Sequence, residues 1–409
     1  MTAQETADEV RSLARLAFGE LSDGAAGLYG FHRAIAGRAF RATGPGGVPA
    51  RVLHDAISER MYDGVAGAFR LIGSAADAGL GRRHVADGRA LSSTPRGALV
   101  VGALTGLVGD RLEREGSDLH QPMAARLEGR PVALEPEALR AAYPDATGLL
   151  VVFLHGLMES EFSWRLGAGP GGETYGDRLR EELDFTPVEL RYNTGCHISE
   201  NGLELADLLE PLVAAWPVEV ERIALVGHSM GGLVARSACC AGGDWTSLVR
   251  HTVSLGTPHT GAPLESAVRY AAAALGMVGE TRPLAGFLRR RSAGIRDMRS
   301  GSLVDEDWRD RDPDALRAAA CKEVPLLEGA AHHFVAATVT ANPGHPVARL
   351  IGDWLVLQPS ASGRSRTRMI GFRDEDGAHV GGAHHLALLN HPAVYERLRE
   401  WLARAPRFD

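Results

Sequence analysis

The segment Ile223–Leu233 constrains the fold of this chain more than any other. An apolar run is followed directly by the residues GHSMG (227–231), and a second apolar run with helical spacing comes next. A serine at a sharp strand-to-helix turn has strained backbone angles, and a Cβ two residues before or after it would collide with neighbouring chain. The segment therefore predicts a turn that exposes the hydroxyl of Ser229 to the N-terminal amides of a helix. The alternative is a purely structural turn.

Composition excludes several classes of protein. The chain has 409 residues, of which 45% are hydrophobic and 23% charged, as in globular proteins of one large or two smaller domains. With 44 basic and 51 acidic residues the net charge is −7, which argues against a nucleic-acid partner. Lys322 is the only lysine, so neither a phosphate-binding loop nor a Schiff-base enzyme is indicated. The four cysteines show no spacing typical of a zinc site or a disulfide framework, and we expect no metal and no cofactor.

The N-terminus and the apolar stretches bear on location. The first twenty residues carry acids where a secretory signal would be basic, and no continuous apolar run follows them. The apolar stretch Ala98–Val108 contains two glycines and is shorter than the roughly twenty residues that a membrane-spanning helix needs. The sequence therefore predicts a cytoplasmic protein without a transmembrane segment.

The pattern of apolar residues changes near residue 120. From Ala7 to Leu112 apolar residues recur at helical spacing, so residues 1–120 are predicted to form a helical N-terminal extension. This extension either packs on the rest of the protein or has a lipid-surface or oligomerisation role. In residues 121–409 short apolar runs alternate with helical segments, which is typical of an α/β fold with a mainly parallel sheet and helices on both faces.

This alternation places individual elements along the chain. Helices are predicted at Tyr175–Leu183, Leu203–Trp216 and Pro392–Leu402. Strands are predicted at Leu149–Leu154, Val188–Tyr192, Ile223–Gly227, Val249–Leu255, His333–Val339 and Thr367–Phe372. The residues from about 262 to 322 are too many for an ordinary crossover, and a cap with a helix at Leu264–Leu275 is predicted there.

Four segments carry a resemblance to a known family: LVVFLHGL, LVGHSMGG, LGTPHTGAPLE and HHLALLNHPAVYERLREWL. In content and order they resemble the α/β-hydrolase superfamily, and they are most similar to bacterial lipase and esterase proteins related to GPI inositol-deacylases. The resemblance covers about residues 121–409. It implies an α/β-hydrolase fold with a cap insertion and a serine esterase or lipase activity on small-molecule or lipid esters.

The expected substrate site lies beside Ser229. In this architecture the loop after the strand Leu149–Leu154 lends a backbone amide to an oxyanion hole, and we predict the amides of Leu157 and Met230 as its donors. Taken alone, that loop would be an ordinary strand-ending turn. The other residues expected to line the substrate site are His155, Gly156, His228 and His259. The alternative for His259 is a residue of a turn.

A serine hydroxyl needs a base, and the base needs an orienting carboxylate. The family-like pattern, in which an apolar residue follows the histidine, favours His385 as the base over His384 and His391. Asp353 is the only carboxylate between Val339 and Thr367, where the acid should lie. Asp374 and Asp376 are the alternatives, and Asp353 could instead cap a helix that begins at Trp354.

Together these residues predict hydrolysis of carboxylic esters through an acyl-enzyme, with Ser229 as nucleophile. A thioesterase or a phospholipid deacylase would use the same three residues. A non-catalytic protein that binds a lipid surface is the alternative from another class. The arginine-rich segment 289–299 either forms a solvated helix face or binds an anionic headgroup. The oligomeric state stays open.

Overall fold

The structure is a computed structural model that describes residues 91–117, 120–168, 171–262, 291–312, 320–342, 345 and 352–404. The helices predicted before residue 91, the helix predicted at Leu264–Leu275 and the arginines at positions 289 and 290 lie outside the described residues. The division of the chain near residue 120 stays a prediction.

An eight-stranded sheet forms the centre of the molecule, in the order β2-β1-β4-β3-β5-β6-β7-β8. The strands from β3 to β8 are parallel, whereas β1 runs antiparallel to β2 and β4. The strands are β1 (Ala124–Leu127), β2 (Arg130–Pro131), β3 (Leu149–Leu154), β4 (Thr186–Arg191), β5 (Arg222–His228), β6 (Val249–Leu255), β7 (Ala331–Thr338) and β8 (Gly377–Gly381).

Helices cover both faces of this sheet. They are α1 (Pro95–Arg114), α2 (Pro136–Ala142), α3 (Tyr175–Leu183), α4 (Ile198–Ala215), α5 (Met230–Ala241), α6 (Ala293–Asp297), α7 (Gln358–Ala361) and α8 (Pro392–Leu402). Local signals fix their ends: Thr174 caps α3 by accepting a hydrogen bond from the amide of Asp177 at 3.2 Å. In α8 the proline at the first position removes an amide that would have no partner. No helix in the described ranges is long and apolar enough to cross a membrane.

The apolar run of β3 is continuous because the strand is buried on both faces. Leu150 and Val152 face a core that includes Leu205 of α4, and Val151 and Phe153 face a second core with residues of α3 and α8. This alternation at a period of two residues follows from strand geometry. The strand thus lies in the middle layer of a three-layer structure, with its carboxyl end at one edge of both cores.

Four predicted elements are confirmed with their bounds: β3, β6, α3 and α8. Of the other helices and strands predicted within the described ranges, all but one are present with different ends. The strand predicted at Thr367–Phe372 is wrong, because this segment makes only an isolated bridge between Arg364 and Met369. Ile370 and Phe372 pack instead against Phe334 in a small cluster.

The last strand is β8, whose sequence GAHVG gives little strand signal. The reason lies in its neighbour β7. A Cβ on Gly377 would overlap the ring of Phe334, so the bulky ring on β7 requires a glycine opposite it.

The helix α1, which belongs to the predicted N-terminal extension, packs across the carboxyl edge of the sheet. Asn193, just after β4, donates a hydrogen bond from its side-chain amide to the carbonyl of Gly109 at 3.0 Å. The Ser292 hydroxyl donates to the carbonyl of Gly106 at 2.6 Å. Because Gly102, Gly106 and Gly109 lack side chains, the helix backbone approaches the loops closely.

The buried pair His251 and His333 generates a prediction about stability and pH. Burial, with nearby positive charge, lowers the pKa of His251 from its ordinary value near 6.5 to about 4 and that of His333 to about 3. The unfolded chain therefore takes up these protons at a higher pH than the folded one, and stability falls as the pH drops below 6.5. On going from pH 7 to pH 5, we expect each histidine to lower the free energy of unfolding by about 2 kcal/mol.

Urea unfolding at pH 7 and pH 5 measures this effect, with His333→Phe as the comparison. The phenylalanine keeps a ring against Trp401, which lies 4.5 Å from the ring of His333, but takes up no proton. The variant should lose less stability on acidification than the unmodified protein. An equal loss in the two proteins would contradict the prediction.

Candidate active site

Ser229 occupies the turn between β5 and α5. Its backbone angles, φ 51° and ψ −118°, lie in a region that residues with a side chain rarely adopt. The Ser229 amide donates a hydrogen bond to the carbonyl of Leu255 at the end of β6, at 2.8 Å, which holds the turn in place. A Cβ on Gly227 would overlap the amide of Gly232, so the glycine there is required by space.

The same turn brings α5 against the end of β3. A Cβ on Gly231 would overlap the carbonyl oxygens of Leu154 and His155, so only glycine allows this approach. In the described part of the chain, no hydrogen-bond acceptor lies near the amide of Leu157 or of Met230. Two amides without a hydrogen-bond acceptor among the described residues, one on each side of this contact, are suitable donors for an oxyanion hole.

Asp353 and His385 contact each other directly. The Oδ2 of Asp353 lies 2.7 Å from Nδ1 of His385, and the amide of His385 donates to the Asp353 carbonyl at 2.9 Å. Both side chains are buried, at 1% and 4% exposed. The second carboxylate oxygen accepts from the amides of Leu355 and Val356, so Asp353 caps a tight turn, although no helix begins at Trp354.

The ring of His385 lies at the carboxyl ends of β5 and β6. A Cβ on Gly256 would lie 3.1 Å from its Cε1, and its ring centroid is 4.8 Å from that of His228, the residue before Ser229. Nε2 of His385 has no hydrogen-bond partner among the described residues, the Ser229 hydroxyl included. With Nδ1–H donated to Asp353, Nε2 is left as a proton acceptor.

The structure gives the alternative residues other contacts. The Nδ1 atoms of His384 and His391 accept hydrogen bonds from the amides of Ala387 and Ala393, at 3.2 Å each, and so cap the next helical turns. Asp374 pairs with Arg364, and Asp376 pairs with Arg373 at 2.7 Å. Of these histidines and carboxylates, only His385 and Asp353 contact each other.

Three histidines predicted to line the substrate site are fully buried, which differs from that expectation. His155 stacks on Tyr192 with ring centroids 4.4 Å apart, and His259 lies 4.8 Å from Phe372. Burial lowers the pKa of both imidazoles. The imidazole of His228 is paired with a carboxylate. In this structure, therefore, their side chains contact other parts of the protein and none reaches solvent.

That carboxylate belongs to Glu159, which sequence reasoning missed. One of its oxygens lies 3.0 Å from Nδ1 of His228, and the other accepts from the amide of Gly156 at 2.8 Å. Burial alone would lower the pKa of His228, but the Glu159 charge and hydrogen bond outweigh it and raise that pKa. The pKa of Glu159 is lowered by the same contact, against the effect of its burial. Both shifts favour the ionised form of the pair.

Two further segments cover the loop that follows β3. Met158 has a strained φ of 62° and packs its side chain on Gly106 of α1, while its amide donates to the Thr194 hydroxyl at 3.2 Å. On the other side, Gly294 of α6 lies against the carbonyl of Thr194 and the side chain of Met230. Residues that are far apart in the sequence thus hold the loop after β3 in place.

The arginines of the described part of the cap have different roles. Arg296 lies 3.8 Å from Asp110 of α1, whereas Arg299 lines a cavity of about 550 Å³ beside the segment that follows Asp353. In the part of the chain that the structure describes, no acidic side chain lines this cavity. Its lining residues are Thr260, Gly261, Ala262, Arg299, Leu357, Pro359, Ser360, Arg364, Ser365 and Arg366.

One group among the described residues has the composition of a metal site. Possible ligand atoms of Glu113, His120 and Cys196 lie within 4.8 Å of one another. However, the Asn193 amide donates to Nδ1 of His120 at 3.0 Å, and the Cys196 thiol donates to Glu113 at 2.9 Å. Hydrogen bonding between α1, the segment after it and the loop after β4 explains the group without an ion.

The comparisons with known proteins agree with this architecture. Residues 145–273 match the family model described as PGAP1-like alpha/beta domain, which confirms the resemblance for that part of the chain. The mainly parallel sheet with helices on both faces and a serine between β5 and α5 is an α/β-hydrolase fold, as predicted. No curated protein matches the chain.

Several solved structures are similar over part of their length. The mature form of the lipase BlEst2 from Bacillus licheniformis is 17% identical, with 62% of this chain and 91% of that chain covered and a TM-score of 0.39. Its propeptide form is 18% identical, with a TM-score of 0.41. The match covers 64% of this chain and 52% of that chain. The metagenomic carboxyl esterase MGS0156 is 15% identical, with 74% and 89% covered and a TM-score of 0.36.

The contact of α1 with Met158 generates a prediction. Gly106→Ala places a Cβ against the backbone and side chain of Met158 and should displace the adjacent Leu157 amide. Because a misplacement near 1 Å in an active site costs about 100-fold, we expect the reaction of Ser229 with a fluorophosphonate probe to slow by about 10- to 100-fold.

Leu99→Ala is the matched control, since Leu99 lies on the same helix and is 63% exposed. It should leave the labelling rate unchanged. Alanine favours a helix over glycine by about 1 kcal/mol, so a slow Gly106→Ala variant is not explained by a weaker helix. Equal labelling rates for both variants would show that α1 does not position the loop.

Proposed function

We propose that this protein is a serine hydrolase that cleaves carboxylic esters through an acyl-enzyme. The observation that carries the proposal is the 2.7 Å contact between buried Asp353 and His385, with the ring of His385 4.8 Å from that of His228, the residue before Ser229. A buried carboxylate that orients an imidazole near a strained serine turn suits the activation of a hydroxyl. The PGAP1-like match over residues 145–273 is consistent with this reaction class.

In the proposed reaction Ser229 attacks the ester carbonyl while Nε2 of His385 accepts the hydroxyl proton. Asp353 stabilises the imidazolium that forms, and the amides of Leu157 and Met230 stabilise the negative charge on the carbonyl oxygen. His385 then returns the proton to the leaving alkoxide. Water attacks the acyl-enzyme in the second half, with His385 again as the base.

Ser229→Ala tests the nucleophile. The variant should keep its fold and lose about four orders of magnitude or more in kcat for a p-nitrophenyl ester, because the remaining site groups cannot form the acyl-enzyme. A fluorophosphonate probe should label the unmodified protein once per chain and should not label the variant. Ser247→Ala, at an exposed serine whose hydroxyl bonds only the Asp244 carbonyl, serves as the control.

Either of two results would remove the proposal. One is ester hydrolysis that persists in the Ser229→Ala variant. The other is an unmodified protein that neither reacts with the probe nor turns over any ester, which would favour the non-catalytic lipid-surface alternative. The cytoplasmic location and the role of residues 1–90 stay predictions from the sequence.

The arginine-lined cavity supports a second candidate function, in which the substrates are anionic. Arg299, Arg364 and Arg366 line the cavity, and among the described residues no acidic side chain lines it, although Arg364 is paired with Asp374. Apolar atoms of Leu357 and Pro359 line the same space. Phospholipids and acyl thioesters of coenzyme A both join phosphate to an acyl group, so a phospholipid deacylase or a thioesterase would use such a cavity.

Arg366→Glu tests this candidate by charge reversal. We expect KM for a phosphate-bearing ester to rise about three- to tenfold, the effect of exposed ion pairs worth up to about 1 kcal/mol each, and KM for a neutral ester to stay unchanged. Arg130→Glu, at an exposed arginine on β2 at the far edge of the sheet, controls for the change in net charge. Equal effects on both esters would exclude the cavity from anion recognition.

A further inference from the structure

We propose that Glu159 is a positioning residue that acts through His228 to hold the oxyanion loop, the nucleophile turn and the loop of the base in one geometry. The inference rests on the hydrolase function proposed above. No motif marks Glu159, yet its side chain bonds to two of these segments and, through His228, is linked to the third.

The first segment is the oxyanion loop, residues 155–160. Oε2 of Glu159 accepts the amide of Gly156 at 2.8 Å, while the Glu159 amide donates back to the Gly156 carbonyl at 3.2 Å. A Cβ on Gly156 would lie 2.8 Å from the other carboxylate oxygen. The carboxylate thus fixes the His155–Gly156 peptide, and the Glu159 amide fixes the next peptide, whose Leu157 amide is one of the proposed oxyanion donors.

The second segment is the nucleophile turn. His228 directly precedes Ser229, is fully buried and has its Nδ1 at 3.0 Å from Oε1 of Glu159. Because the backbone of Ser229 is strained, the residue before it must be held firmly for the turn to persist. The ion pair ties His228 to the loop after β3, a neighbouring strand.

The third segment carries the base. Nε2 of His228 lies 3.3 Å from the carbonyl oxygen of His385, and the two rings lie 4.8 Å apart. Both partners of the His228 ring are acceptors, a carboxylate at Nδ1 and a carbonyl at Nε2. An imidazole donates at both nitrogens only when it is protonated, so this geometry suits a positively charged His228 beside an ionised Glu159. The raised pKa of His228 and the lowered pKa of Glu159 favour that state.

A second buried ion pair nearby provides a contrast. Glu161, two residues further on, binds Arg191 through two hydrogen bonds, and both side chains are at least 94% buried. Arg191 also donates hydrogen bonds to Ser92 and Gln121, and among the described residues no hydrogen bond links this pair to Ser229, His385 or Asp353. The two carboxylates lie two residues apart and each pairs with a buried side chain, and they differ in whether they contact the catalytic segments.

Glu159→Ala and Glu159→Gln test the proposal against Glu161→Gln. Alanine removes both contacts, so kcat should fall about 100-fold, the cost of displacing reacting groups by about 1 Å, while KM stays within about threefold. Glutamine can accept from Gly156 and donate to a neutral His228, so it should recover most of the lost kcat. Glu161→Gln should keep kcat within about threefold of the unmodified protein, whatever it does to the melting temperature.

The outcomes separate the possible failures. If the unmodified protein does not react with a fluorophosphonate probe, the proposed function fails and takes the inference with it. If it reacts, the inference alone is overturned by a Glu159→Ala variant with unchanged kcat, by a Glu159→Gln variant no better than alanine, or by an equal loss in Glu161→Gln. If Glu159→Ala does not fold, His228→Asn replaces it, because asparagine is too short to span from Glu159 to the His385 carbonyl, and the same 100-fold loss in kcat is expected.

Discussion

The approach of α5 to the end of β3 is the contact on which the rest of the site depends. Gly231 lies directly on the carbonyls of Leu154 and His155, where any side chain would overlap them. This contact brings the first amide of α5, that of Met230, next to the loop that carries Leu157. It also sets the position of Ser229, whose strained backbone is retained because its amide and carbonyl are both bonded, to Leu255 and Gly232.

Much of this could be predicted from sequence because buried parallel strands have a strong signal. β3 and β5 are near-continuous apolar runs since both of their faces are covered, and the glycines around Ser229 have steric reasons that hold wherever such a turn occurs. The acid was predicted by elimination, because one carboxylate lies in the required interval. Asp353 and His385 then lie in contact, although their roles stay proposals.

The features that sequence reasoning missed depend on distances between segments. Glu159 is an ordinary surface residue type three positions after a glycine, and its role as the partner of His228 exists only once β3 and β5 lie side by side. β8 was missed for a similar reason. Its glycine is required by a ring on the neighbouring strand, and a glycine-rich segment has little intrinsic preference for a strand. The glycines of α1 likewise indicate close packing only once Met158 and Asn193 are seen to lie against them.

Burial disfavours the charged form of His155, His228 and His259, but it does not alone set the direction of their pKa shifts. His155 and His259 are fully buried with lowered pKa values, and the arginines near each ring oppose a positive charge as well. His228 is equally buried, and burial alone would lower its pKa, but the Glu159 carboxylate at hydrogen-bond distance raises that pKa. Within a water-excluded layer a single carboxylate thus favours the charged form of one imidazole. A ring that donates at both nitrogens connects two loops, whereas a neutral ring between two acceptors would connect only one.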